Sequence, residues 1–332
     1  VETAGDPVYL DFDDELIRLS VDSALFNLFD FVYLEGGFTL EKGPTKEVDI
    51  DTGFLSASFG APATLNDVQV ELLNFGASGV TAFVGLNGPL EDTDGDGRLS
   101  DETDQSAVGL AINDADFALS IMTPTLFTNF GPGAEAFAPK FIALEATATF
   151  AGLVGMSDLI TLEANEIKIS INSSSFSIPG PVGALVENPH VKLATSLPGD
   201  DISTLEDANT ADGVDYFSED TNGNNILDNG EDFNNNGIID VGEDTNDDGK
   251  FVPTGLQVKA GASSFFLTQD SEIISASVKY AEFSLGGALQ LAGSLSFTKG
   301  GVRTVTLSDE TTKEVTTIQM GGSNLYGFMG IN

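Results

Sequence analysis

The sequence predicts an all-β chain of parallel β-solenoid-like coils with long acidic loops inserted between them. Three observations predict it. Apolar residues alternate with polar ones at a period of two. One particular alternating motif recurs along the chain. Neighbouring copies of that motif are spaced by about eighteen residues, as from Ile142 to Ile160 and from Leu256 to Ile274. Period two places every second side chain on one face of a strand, and a recurring motif at such a spacing is the mark of stacked coils. The alternative is a set of antiparallel β-sandwich repeats, which also use short alternating strands.

The motif reads apolar–x–apolar–x–(apolar or small)–x–x–apolar–x–apolar. Its clearest copy is Ile160, Leu162, Ala164, Ile167, Ile169, Ile171. Others are Ile17, Leu19, Val21, Ala24, Phe26, Leu28; Val108, Leu110, Ile112, Ala115, Phe117, Leu119; and Ile274, Ala276, Val278, Ala281, Phe283, Leu285. Weaker copies begin at Ile142, Leu256, Leu289 and Ile318. The two-residue slip in the middle predicts a tight turn or a bulge, set at the crowded corner of a coil. Residues 19–32 can be drawn with helical spacing, but their match to 276–289 assigns them to strand.

The two ends of the chain match each other. Ser20, Val21, Ala24, Phe26 and Leu28 return as Ser277, Val278, Ala281, Phe283 and Leu285. Leu34, Gly36, Lys42 and Gly43 return as Leu291, Gly293, Lys299 and Gly300, at the same offset of 257. Gly76 to Asn87 matches Gly321 to Asn332 at an offset of 245. One unit of roughly 250 residues plus the flank of another is therefore expected, as in a tandem-repeat protein. The expectation extends past Asn332, where sequence like that from Gly88 onward would follow. The segments are 1–87, the end of one unit; 88–198, the solenoid part of the next; 199–255, an acidic insert; and 256–332, matching 1–87.

Breaks in the rhythm predict loops at 44–53, 88–104, 123–140, 173–183 and 198–254. The largest carries a twelve-residue pattern, written twice and begun a third time. Oxygen-bearing side chains fall at positions 1, 3, 5, 9 and 12: Asp220, Asn222, Asn224, Asp228 and Glu231, then Asp232, Asn234, Asn236, Asp240 and Glu243. The third copy opens with Asp244, Asn246 and Asp248. A hard cation such as Ca²⁺ takes six to eight oxygens in this spacing, including a backbone carbonyl at position 7. That carbonyl belongs to Ile226, Ile238 and Lys250. Gly237 and Gly249 allow the sharp turn at position 6. A separate loop offers Asp92, Asp94, Asp96 and the Arg98 carbonyl, with Asp101, Glu102 or Asp104 to close the shell. Ca²⁺ is thus the expected cofactor.

These loops resemble the thrombospondin type 3 and dockerin calcium repeats. The chain as a whole resembles the giant bacterial tandem-repeat surface proteins built of β-strand repeats. That resemblance implies a secreted or cell-surface structural module, calcium-stabilised, which forms or decorates a filament, sheath or surface layer. Its partners would be other copies of itself or adjacent repeats. The alternative is a calcium-dependent adhesin that binds cell-surface glycans or proteins through Phe127, Phe130 and Phe137 in the 123–140 loop.

Composition narrows the classes. The chain of 332 residues has 52 acidic and 13 basic residues, a formal charge of −39. Nucleic-acid binding needs cations facing phosphates, so no nucleic-acid partner is expected. There is no cysteine, hence no disulfide frame. No run of about eighteen apolar residues predicts a membrane-crossing helix. Calcium loops fill where calcium is abundant, so an extracellular site is expected. No catalytic motif is present, the one histidine, His190, reads as an ordinary loop residue, and an enzyme is not expected.

Overall fold

A computed structural model describes residues 16–29, 31–88, 106–125, 139–175, 187–198 and 254–330. In chain order its elements are β1 (Ile17–Leu28), β2 (Val32–Lys42), β3 (Lys46–Asp51), α1 (Phe54–Phe59), β4 (Thr64–Leu86), β5 (Val108–Pro124), β6 (Phe141–Val154) and β7 (Ile160–Ser174). There follow β8 (His190–Lys192), α2 (Leu193–Ser196), β9 (Leu256–Ala260), β10 (Ser263–Leu267), β11 (Ile273–Leu285), β12 (Leu289–Thr306) and β13 (Thr312–Met329). The all-β expectation holds, with α1 and α2 of six and four residues. No helix among the described residues is long and apolar enough to cross a membrane.

The main sheet runs β1-β2-β4-β5-β6-β7-β11-β12-β13, and β3 and β8 attach at the start of β4. Every neighbouring pair in it is antiparallel. The parallel β-solenoid is therefore corrected. Alternation fixes which side chains share a face but carries no strand direction. The spacing from Ile142 to Ile160 is one strand plus its turn, so the two residues lie at opposite ends of adjacent antiparallel strands. The 44–53 segment, expected as a loop, contains β3; its Val48 and Ile50 are buried in the core.

The recurring motif is one face of this sheet, except for the copy expected from Leu256, which falls on the separate two-stranded β9–β10 hairpin. Following register partners across it gives a row: Leu19, Leu40, Phe75, Leu119, Leu144, Ile171, Ile274, Lys299, Ile318. The next row runs from Val21 and Phe38 through Ala77, Phe117 and Ala146 to Ile169, Ala276, Phe297 and Met320. The slip between half-motifs is a line of bulges across the sheet. Registers shift between Val21 and Ala24, Ala77 and Val80, and Val278 and Ala281. Gly79, Asp114, Glu166 and Asn324 take left-handed backbone there, with φ of 58°, 47°, 49° and 52°. A bulge adds one residue and restores the alternation on the same face, which is why each motif resumes after two residues.

The opposite face is covered at one end by β3, β8, α2 and the β9–β10 hairpin. Val70, Leu72, Met122, Phe141, Val191, Leu193, Val258 and Leu267 meet in this core. A smaller cluster past the bulges joins Phe83, Ala111, Phe150 and Val154.

The sequence repeat is repeated in the hydrogen-bond register. In β1–β2, Ile17 pairs with Lys42, Val21 with Phe38, Ala24 with Gly36 and Leu28 with Val32. In β11–β12, Ile274 pairs with Lys299, Val278 with Leu295, Ala281 with Gly293 and Leu285 with Leu289, each 257 residues on. The third strand agrees at its own offset of 245. Lys42 pairs with Leu73 and Leu34 with Ala82; Lys299 pairs with Ile318 and Leu291 with Gly327. Even the closing bond repeats, Gly85 N–H to the Phe31 carbonyl and Gly330 N–H to the Ala288 carbonyl, both 2.9 Å. Gly286 and Gly287, with φ of 52° and 67°, are the central residues of the turn that the Ala288 N–H closes on the Leu285 carbonyl at 2.9 Å, where positive φ at both positions suits glycine.

Candidate functional site

The expected metal ligands of the two Asp-rich segments, from Asp92 to Asp104 and from Asp220 to Lys250, lie outside the described residues, as do Phe127, Phe130 and Phe137. The described residues give the points at which these segments leave the sheet. The Asp92 segment joins β4 to β5, and the Asn87 side-chain amide donates to the Ser106 carbonyl at 2.9 Å across its base. The 199–253 segment joins α2 to β9. Its base is closed by the Gly255 N–H, which donates to the Leu197 carbonyl at 2.8 Å. Leu197 packs against the core formed by Met122 and Phe141, at the end of β5 and the start of β6. The two Asp-rich segments are thus rooted at opposite ends of the strands. Among the described residues, no group of three or more His, Asp or Glu side chains could hold a metal ion.

His190 is not a loop residue. It opens β8, is 2% exposed, and its Nδ1 lies 3.1 Å from the Asn188 carbonyl. Beside it sits a buried polar cluster that sequence reasoning missed. Glu272, fully buried, receives the Lys299 ammonium at 2.5 Å, the Asn188 side-chain amide at 2.7 Å and the Asn188 backbone N–H at 3.1 Å. A buried carboxylate is tolerated when its charge is matched and its lone pairs are filled. Both hold here, and the cluster fastens the segment before β8 to the start of β11 and the end of the β12 hairpin pairing. These residues are far apart in sequence and match no motif, so no local signal announces them. Asn172 performs a similar task, its amide donating to the carbonyls of Val191, Gln269 and Ser271.

Two surfaces stand open among the described residues. One is the motif face. Leu40, Leu110, Leu162, Leu291 and Leu295 are each about half exposed, and β1 is open along its whole length. The other is a shallow trough on the opposite face, where Glu166, Lys168, Ser277, Lys279, Ser296 and Ser323 stand beside Val278 and Leu295. In the first copy of the repeat the equivalent surface is covered. There Ser20 and Thr39 share a hydrogen bond of 2.8 Å, Gly261 N–H donates to Thr39 Oγ1 at 2.9 Å, and Ser78 Oγ donates to the Ala260 carbonyl at 2.7 Å. The tip of the β9–β10 hairpin makes the last two bonds. In the second copy Ser277, Ser296 and Ser323 hold these places in the open. Thr39 becomes Ser296, which keeps a hydroxyl, and Gly37, against which Gly261 packs, is replaced by Ser294, whose hydroxyl donates to the Lys279 carbonyl at 2.5 Å.

Among the described residues, two carboxyls have shifted acidities. Burial pushes Glu145 up from the usual carboxylate range, and Gln269 Nε2 donates to it at 3.0 Å. The Thr311 hydroxyl and backbone N–H hold Asp309 below that range in the β12–β13 turn.

No family model matches the chain, and neither a curated protein nor a solved structure matches it.

Proposed function

We propose that the chain is a calcium-stabilised structural module of a secreted or cell-surface tandem-repeat protein, one that forms or decorates an extracellular filament, sheath or surface layer. The observation that carries this reading is the three-stranded unit β1-β2-β4, which returns as β11-β12-β13 with the same registers in one sheet. A sheet whose last three described strands repeat its first three can extend by adding units, as a fibre or layer does. Its strands run antiparallel, so such a unit would grow as a continuous meander with an open apolar face available to other units.

Calcium supplies the second half of the reading. A formal charge of −39 opposes close assembly, and the oxygen spacing from Asp220 to Glu243 and from Asp92 to Asp96 suits a hard cation. Ions held there would neutralise charge at both ends of the strands. The test is a thermal melt with and without chelator, paired with electron microscopy of the same samples. A higher melting temperature and ordered filaments or sheets with calcium support the reading. Identical melts and identical images in the two samples would sink it.

A further inference from the structure

Among the described residues β13 has a single strand neighbour, β12. By every register it shares, β13 is the counterpart of β4, and β4 has a second neighbour, β5. The side chains of β13 are correspondingly open: Met320 is 83% exposed, whereas Phe75 in the same place on β4 is half-buried and packs edge-on against Phe117 of β5 at 4.9 Å. The bulge is already formed. Asn324 has φ of 52°, as Gly79 has 58° on β4. On β4 that bulge does specific work, because the Gly79 N–H donates to Asp116 Oδ1 of β5 at 2.8 Å.

We infer that the open edge of β13 is the docking edge for an antiparallel strand of the β5 type, supplied by another copy of the repeat unit. The occupant is defined by chemistry. It carries apolar residues in the spacing of Val108, Leu110, Ile112, Ala115, Phe117 and Leu119, with a carboxylate in the place of Asp116 facing the bulge. A flat edge accepts any strand. A bulged edge accepts one whose own bulge falls opposite, because a slip of one residue turns its apolar set to the wrong face. The register follows from β4–β5, where Leu73 pairs with Ile121, Asn74 with Ser120, Phe75 with Leu119 and Ala77 with Phe117. On β13 these places are Ile318, Gln319, Met320 and Gly322. The inference names the partner of the tandem-repeat reading and rests on its repeated unit, but not on calcium. Failure of the melt leaves this edge intact, and failure of the edge leaves the calcium loops intact.

The chain has no cysteine, so an engineered pair reports register without background. The probe is a synthetic peptide of residues 108–124 with a terminal lysine tag for solubility and Ser120→Cys, offered under mild oxidation to the full chain carrying Gln319→Cys. Directly opposed residues on paired strands bring Cβ atoms to about 4.5–5.5 Å, close to the span of a disulfide. We expect this pair to cross-link at least tenfold faster than the same peptide with its cysteine moved to Leu119 or Ile121. A second pair, Ile318→Cys with Ile121→Cys, reads the same register on the opposite face. A peptide of β7, residues 160–174 with Asn172→Cys in the place of Ser120, carries Lys168 where β5 has Asp116 and should cross-link to neither chain variant above the displaced controls. Equal rates for in-register and displaced cysteines, or an equal rate for the β7 peptide, would overturn the inference.

Discussion

Gly76 and Gly321 occupy the same place in the two copies of the repeated unit, yet alanine should affect them very differently. A Cβ at Gly76 would stand 2.1 Å from the Lys259 carbonyl oxygen and 2.9 Å from the Ala260 Cβ. Both neighbours belong to the β9–β10 hairpin, and a backbone oxygen cannot rotate away. The hairpin must shift outward, carrying Leu256, Val258 and Leu267, which are buried at 4%, 0% and 0% exposure. Overpacking of this kind costs about 1–3 kcal/mol. Complete undocking would forfeit about 1.5–3 kcal/mol for each of the three side chains, so a shift is the cheaper response. At Gly321 the nearest atom to the new Cβ is Ser296 Oγ at 3.0 Å, a hydroxyl that turns about one bond. The cost there is under ~0.5 kcal/mol, and the reduced freedom of the unfolded chain offsets it by about 0.4–1 kcal/mol. Urea titration of the two variants against the parent chain measures both. Gly76→Ala should lower the midpoint with the slope unchanged, and Gly321→Ala should leave it within error or raise it slightly. Equal shifts for the two variants, or a Gly76→Ala variant as stable as the parent, would refute the account of the hairpin as packed directly on the first unit.

The remaining predictions use the same titration. Lys299→Met strands the Glu272 carboxylate with only the two Asn188 N–H groups, and should cost about 3–5 kcal/mol. Adding Glu272→Gln should recover part of that loss, because the residue left behind is then neutral; a double variant less stable than the single one would count against the charge argument. Glu145→Gln tests burial through pH. Burial raises the carboxyl in the folded state, so the folded state resists ionisation, and the resulting penalty appears as pH rises through the raised value. The variant should therefore be more stable than the parent at neutral pH. The gain should vanish below about pH 4, where the group is protonated in both states; a gain independent of pH would rule this cause out.

Much of the fold was legible from particular residues. The six-residue motif at Ile160 to Ile171 named the face, the strand and the slip, and the slip became the bulges at Gly79, Asp114, Glu166 and Asn324. The offsets of 257 and 245 carried over unchanged into strand register. Strand direction was not legible, because an alternating strand reads the same whether its neighbour runs with it or against it. The eighteen-residue spacing fits a coil and a strand-plus-turn equally well, and the parallel reading followed from that ambiguity. His190 and β3 were misplaced for a related reason. Their segments, ENPHVKL and KEVDID, are too short to show a period, and burial under β3, β8 and the hairpin is decided by what packs on them. The Glu272 cluster draws on residues 84 and 27 positions away, a separation no local pattern spans.

The sequence by itself determined which side chains share a face, where each strand bulges, and that the chain's two ends are the same unit. These are properties of local spacing, fixed by the period-two geometry of an extended backbone. Tertiary structure alone decided that the strands meet antiparallel, that one copy of the unit lies under the β9–β10 hairpin while the other stands open, and that Lys299 is spent on a buried carboxylate. Those outcomes depend on which segments come into contact, and a contact between residues separated by tens of positions or more leaves no period in the chain.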